Sequence, residues 1–202
     1  MPTVMPPEQA CDAPADRRKL RGVRSNRKIL DAVLSLITSG NYLPRAQDIA
    51  KVSGLSLRTV FRHIDDMESL YLALTSECEQ RLLPPLMKPY TSNGWRGQLD
   101  ETISRRVIAF EEMLPLRTAA DAKRFHSKVL AQDFQRVIDL ERSLLTAVLP
   151  KLLQDAAELF EALDLTLSFS AWRRLRQDQG LGVGAAEQVI RHAVAALIRD
   201  VA

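Results

Sequence analysis

Arg58 and Arg62 stand four residues apart, just behind Gly54 and Ser56, in the run Gln47-Asp48-Ile49-Ala50-Lys51-Val52-Ser53-Gly54-Leu55-Ser56-Leu57-Arg58-Thr59-Val60-Phe61-Arg62-His63-Ile64. A guanidinium is a planar fork of donors. It grips a phosphate, or reads O6 and N7 of a guanine when a helix carries it into the major groove. Positions four apart share one helix face, so the spacing puts both forks on one side of a short helix. The plainer alternative is a helical corner whose arginines are only solvated. No other constellation with chemistry stands out. There is no Ser-His-Asp order, no glycine-rich phosphate loop and no paired-carboxylate signature. His126 and His192 lack partners at metal-ligand spacing. The expectation is therefore no catalytic residue, no metal and no cofactor, and a protein that is not an enzyme.

The elements that must position the two forks are legible in the same run. Ile49 and Val52 give a first helix an apolar face, and small Ala50 permits close approach. Gly54 suits the left-handed backbone that ends a helix. Leu55 fills the corner, and Ser56 is a good N-cap for the second helix. Val60, Phe61 and Ile64 are expected to pack inward, leaving Leu57, Arg58 and Arg62 outside. A helix, a tight turn and a second short helix make a helix-turn-helix.

Charge supports that reading. The chain has 202 residues and a net charge of +3, with 46% hydrophobic and 26% charged residues. From Arg17 to His63 there are eleven basic residues and two acidic ones, whereas Glu77 to Ala202 holds 17 of each. A basic block on a helix-turn-helix is the footprint of a phosphate-binding surface. No apolar run approaches the ~18 residues of a membrane span. Met1 to Asp16 has no apolar core of the kind a secretory signal needs. Cys11 and Cys78 form no disulfide pattern, so a cytoplasmic setting is expected.

Periodicity elsewhere is helical throughout. Residues 1–22 hold four prolines and a basic stretch and are expected to be a disordered arm. A helix over Ser25 to Ser39 carries Leu30, Val33, Leu34 and Ile37, and Gly40-Asn41 ends it. Pro44 suits the first turn of the next helix. Asp65 or Asp66 caps a fourth, whose face is Leu70, Tyr71, Leu74, Cys78 and Leu82, running to Pro84-Pro85. Pro89, Asn93 and Gly94 mark a break. Ile103, Val107, Phe110 and Leu114 form a helix stopped at Pro115. One or two helices run from Phe125 to Pro150, another from Leu152 through Trp172. Gly180 to Gly184 is a hinge before a last helix from Ala185. The expected fold is all-α, about nine helices: a three-helix head over residues 23–83 and a helical bundle over residues 95–202.

With the elements in order, the first third resembles the TetR family of transcriptional repressors. The residues that carry it are Arg27-x-Ile29-Leu30-Asp31-Ala32, Gly40, Asp48-Ile49-Ala50, Gly54-Leu55-Ser56, Thr59-Val60-Phe61-x-His63-Ile64 and Glu68-x-Leu70. Phe169 to Leu181 is similar to the penultimate helix and hinge of many members. The resemblance implies a homodimer through the last two helices, a double-stranded DNA operator, and a pocket for an unidentified small effector that releases the repressor. The family alternatives are an activator or a ligand-independent regulator; outside it, a helical protein-interaction module. The DNA-contacting residues would be Arg24, Arg45, Ser56, Leu57, Arg58, Thr59, Phe61, Arg62 and His63. Arg58 is the candidate for guanine, Arg62 for guanine or phosphate, and Leu57 for a thymine methyl. Arg45 suits phosphate at a helix N-terminus, and His63 either touches phosphate or only ends its helix. The arm either follows the DNA or stays disordered. Phe61 and Met67 stand where the family often has a tyrosine and a lysine that hold phosphate. The effector pocket would draw on Phe110, Met113, Phe125, Phe134 and Trp172.

Overall fold

Pro14 opens the first helix. Proline fits a first helical turn, where its missing N–H has no partner to lose, and Arg17-Arg18-Lys19-Leu20 behind it are good helix formers. The helix α1 (Pro14–Thr38) therefore runs through much of the stretch expected to be disordered. The computed structural model describes residues 14–64 and 67–201, so the rest of the arm, and the capping positions Asp65 and Asp66, lie outside the described residues. Gly40 ends the run at φ 94°, with the Asn41 N–H donating to Leu36 O at 2.9 Å, as the glycine predicts.

The remaining helices are α2 (Ala46–Ser53), α3 (Leu57–Ile64), α4 (Met67–Leu86), α5 (Gly94–Arg124), α6 (Lys128–Thr146), α7 (Lys151–Asp155), α8 (Ala157–Thr166), α9 (Phe169–Arg173) and α10 (Val183–Leu197). A π turn, Arg174–Asp178, continues α9. Among the described residues there is no strand. The all-α architecture is as expected, with ten α-helices among the described residues.

Several local expectations shift. Pro115 does not stop α5, which continues for 31 residues. An interior proline costs about 3 kcal/mol, but here Leu114 and Leu116 on either side are both buried, and their burial offsets it. Prolines 84 and 85 likewise sit inside the last turns of α4. On α1 the buried positions are Ile29, Ala32, Val33 and Ile37, while Leu34 is exposed. The helix faces α2, α4 and α5 together, so its buried arc is centred on 29, 33 and 37.

The core forms two clusters that share α5. Leu99, Ile103, Val107, Phe110 and Leu114 face α6 to α10, with Trp172 and Phe169 at the centre. Ala109, Met113, Leu116 and Ala119 turn the other way and complete the core of α1 to α4. The head therefore does not close its core at residue 83. A polar link reinforces the joint: Gln177 donates to Tyr42 Oη at 3.2 Å and accepts from Thr118 Oγ1 at 3.2 Å. The stretch before α5 is also pinned. Glu101 accepts from the Thr91 N–H and hydroxyl and from the Ser92 N–H. Its pKa is pushed down to about 2, chiefly by hydrogen bonding to Ser92 and then Thr91.

Candidate nucleic-acid interface

The corner between α2 and α3 is built as its residues dictate. Arg45 is the residue before α2, and its N–H donates to Asp48 Oδ2 at 3.1 Å. Gly54 takes φ 67° and turns the chain. The Leu55 N–H donates to Ser53 Oγ at 3.3 Å, and Leu55 packs half-buried on the head core. Ser56 Oγ accepts from the Thr59 N–H at 3.2 Å and lies 2.9 Å from Thr59 Oγ1. Ser56 is thus the N-cap, and Ser56 and Thr59 direct their hydroxyls at each other.

Ile49 and Val60 are fully buried and lock the two helices together, a contribution of about 1.5–3 kcal/mol each. Two neighbours do not follow them. Phe61 is 53% exposed rather than packed inward, because one residue beyond Val60 is a 100° rotation on a helix. Val52 is also exposed: the buried side of α2 runs through Ile49 and the half-buried Ala50 and Ser53.

The exposed face of α3 consists of Leu57, Arg58, Phe61 and Arg62, two i, i+4 pairs side by side. Arg24 on α1 and Arg45 ahead of α2 are exposed as well. None of Arg24, Arg45, Arg58 and Arg62 has an ion-pair partner among the described residues, and Lys28 and Lys51 have none either. Arg27 differs. It pairs with Asp31 at 2.9 Å and Glu77 at 3.1 Å. The Glu77 hydrogen bond, with the Asp31 charge, holds its guanidinium pKa above the ordinary value. The side chains of His63, Ile64 and Met67 lie outside the described residues.

The five residues expected to line an effector pocket are not brought together. Phe110 and Met113 border a void of about 40 Å3 with Leu82, Leu86 and Leu144. Phe134 borders a neighbouring void of about 20 Å3. Arg117 and Val137 separate the two. Voids this small hold a water or two, well short of the ~300 Å3 typical of ligand pockets. Phe125 is 76% exposed, with Arg124 stacked 4.7 Å from its centroid. It follows the last turn of α5, at the surface. Trp172 is fully enclosed in the body core.

A larger cleft, about 310 Å3, opens instead where α4, α5 and α6 meet, lined by Glu68, Tyr71, Lys123, His126, Ser127 and Leu130. Tyr71 registers in the sequence only as part of an apolar face. The other five carry no local signal, because the cleft exists only once three helices converge.

Comparison with protein-family models, with curated proteins and with solved structures returned no match.

Proposed function

We propose that this chain is a sequence-specific DNA-binding transcriptional regulator of the TetR type, a repressor released from its operator by a small molecule. The observation that carries the reading is the outer face of α3. Arg58 and Arg62 lie there exposed and, among the described residues, without carboxylate partners, on a helix held by a left-handed glycine and a serine cap. Buried Val60 and Ile49 fix the angle at which that face is presented.

In the complex α3 enters the major groove. Arg58 donates to guanine O6 and N7, a contact that discriminates by about 1–3 kcal/mol. Leu57 meets a thymine methyl. Arg45 and Arg24 neutralise phosphates, with Arg45 helped by the positive end of α2. Phe61 adds apolar contact and no phosphate bond, so phosphate binding falls to the arginines. A homodimer through the last two helices would present two such heads. Val183 and Val189, exposed on α10, support this placement.

The test is fluorescence anisotropy with duplex from upstream of the protein's own gene, against a scrambled duplex, between about 50 and 200 mM salt. The expected result is sequence-selective binding, two subunits per site, with a steep salt slope. Absence of binding to both duplexes at the low-salt end overturns the reading.

A further inference from the structure

We propose that the cleft between α4, α5 and α6 is a binding site for a small organic monocarboxylate with an apolar body. Its volume, about 310 Å3, reaches the range that small-molecule sites occupy. Two donor-bearing side chains line it, and neither has an acceptor among the described residues. Tyr71 is fully buried, and its hydroxyl has no hydrogen-bond partner. Such a group is costly to leave unsatisfied. Lys123, whose ammonium lies 5.5 Å from the Tyr71 ring centroid, pairs with no carboxylate among the described residues.

Both unspent groups give protons. Burial pushes the Tyr71 phenol up to about 12, so near neutral pH it donates. The group they await is an acceptor, and the ammonium makes it an anion. The helix ends agree. Glu68 is in the first turn of α4, while Ser127 and Leu130 are the N-cap and third residue of α6. Two positive helix termini adjoin the cleft, against one negative terminus from α5. Glu68 is the one acid among the described lining residues. One ammonium facing one carboxylate suits a monoanion better than a phosphate dianion. The Tyr71 ring and Leu130 supply apolar wall for the body. The site stands whether or not α3 reads DNA.

Isothermal titration of the full chain with benzoate, salicylate and isobutyrate, with benzamide as the neutral control, tests it. At least one acid should bind saturably at one per chain, with a Kd on the order of 1 mM. Benzamide should bind at least about tenfold more weakly. Lys123→Met and Tyr71→Phe should each weaken the acid by about tenfold, a change of about 1.4 kcal/mol. Lys128→Met, on α6 but outside the lining, should leave it unchanged. Thermal melts establish that each variant is folded, and Tyr71→Phe keeps the ring that packs the core. Three outcomes each overturn the proposal: no saturable binding by any acid, equal binding of benzamide, or full affinity in Lys123→Met.

Discussion

In the head, Arg24, Arg45, Arg58 and Arg62 stand exposed with no carboxylate partner among the described residues. In the body, Arg105, Arg117, Arg136, Arg142, Arg176 and Arg191 each hold at least one, and Arg81 of α4 reaches across to Glu112. The residue type is the same and the surroundings differ. Body arginines join helices: Arg117 bridges α5 to Glu141 of α6 and stacks 4.1 Å over Phe169 of α9. Arg142 ties α6 to α8 through Glu161 and Asp164. Among the described residues, Arg24, Arg45, Arg58 and Arg62 join no carboxylate. Like charges kept together and unpaired repel one another, which favours an external anion as the partner. Charge that is satisfied internally supports the fold; charge left unsatisfied is available for binding.

The comparison breaks most visibly at Arg117. Arg117→Ala leaves the largely enclosed Glu141 side chain without its ion-pair partner, and the expected loss is about 3 kcal/mol of unfolding free energy in urea titrations. Arg58→Ala and Arg62→Ala should stay within about 0.5 kcal/mol in the same measurement. Equal losses would end the distinction between the two sets. In DNA titrations the order reverses. Arg58→Ala should weaken specific binding by about 1–3 kcal/mol and non-specific binding less, and an unchanged specificity ratio would refute base reading by Arg58.

Gly54→Ala sharpens the role of the corner itself. No heavy atom lies within 4 Å of the added Cβ, so the cost is the left-handed backbone alone, about 1–2 kcal/mol. A thermal melt unchanged from wild type would show that α2 and α3 do not need that conformation. The smallest effect concerns Glu101, which holds the strand of chain between head and body helices. Its folded pKa is below the unfolded value, so its contribution is fully present above the unfolded pKa. It is lost as pH falls from the ordinary carboxylate range towards about 2. Glu101→Gln should therefore flatten that part of the stability–pH curve; identical curves for the two proteins would exclude the cap.

Much of the fold was legible because helix signals are short-ranged. The Gly40 and Gly54 turns, the Ser56 cap and the buried face of α4 (Leu70, Tyr71, Leu74, Cys78, Leu82) each depend on residues within a few turns of one another. The departures at Pro115, Leu34, Phe61 and Val52 share one cause: which side of each helix is covered and which is left to solvent is set by how the other helices pack against it. Of the candidate interface, the outward placement of Leu57, Arg58 and Arg62 follows from periodicity. The pocket residues did not follow, since a large apolar side chain fills a core as readily as it lines a cavity. Phe110 and Trp172 pack in the body core, Met113 in the head core, Phe134 is half-buried on α6, and Phe125 sits at the surface.

By itself, the sequence determined an all-helical chain with a glycine-turned, serine-capped corner and a basic first third. Those features arise from hydrogen bonds and periodicity acting within about four residues. The tertiary structure alone decided which arginines find partners, because pairs such as Arg117–Glu141 and Arg191–Asp100 join positions far apart in the chain. It alone decided that α5 runs on through Pro115 and serves two cores. It also placed a cleft of ligand size between α4, α5 and α6. A cavity is the space three helices fail to fill, and no single segment encodes how they meet.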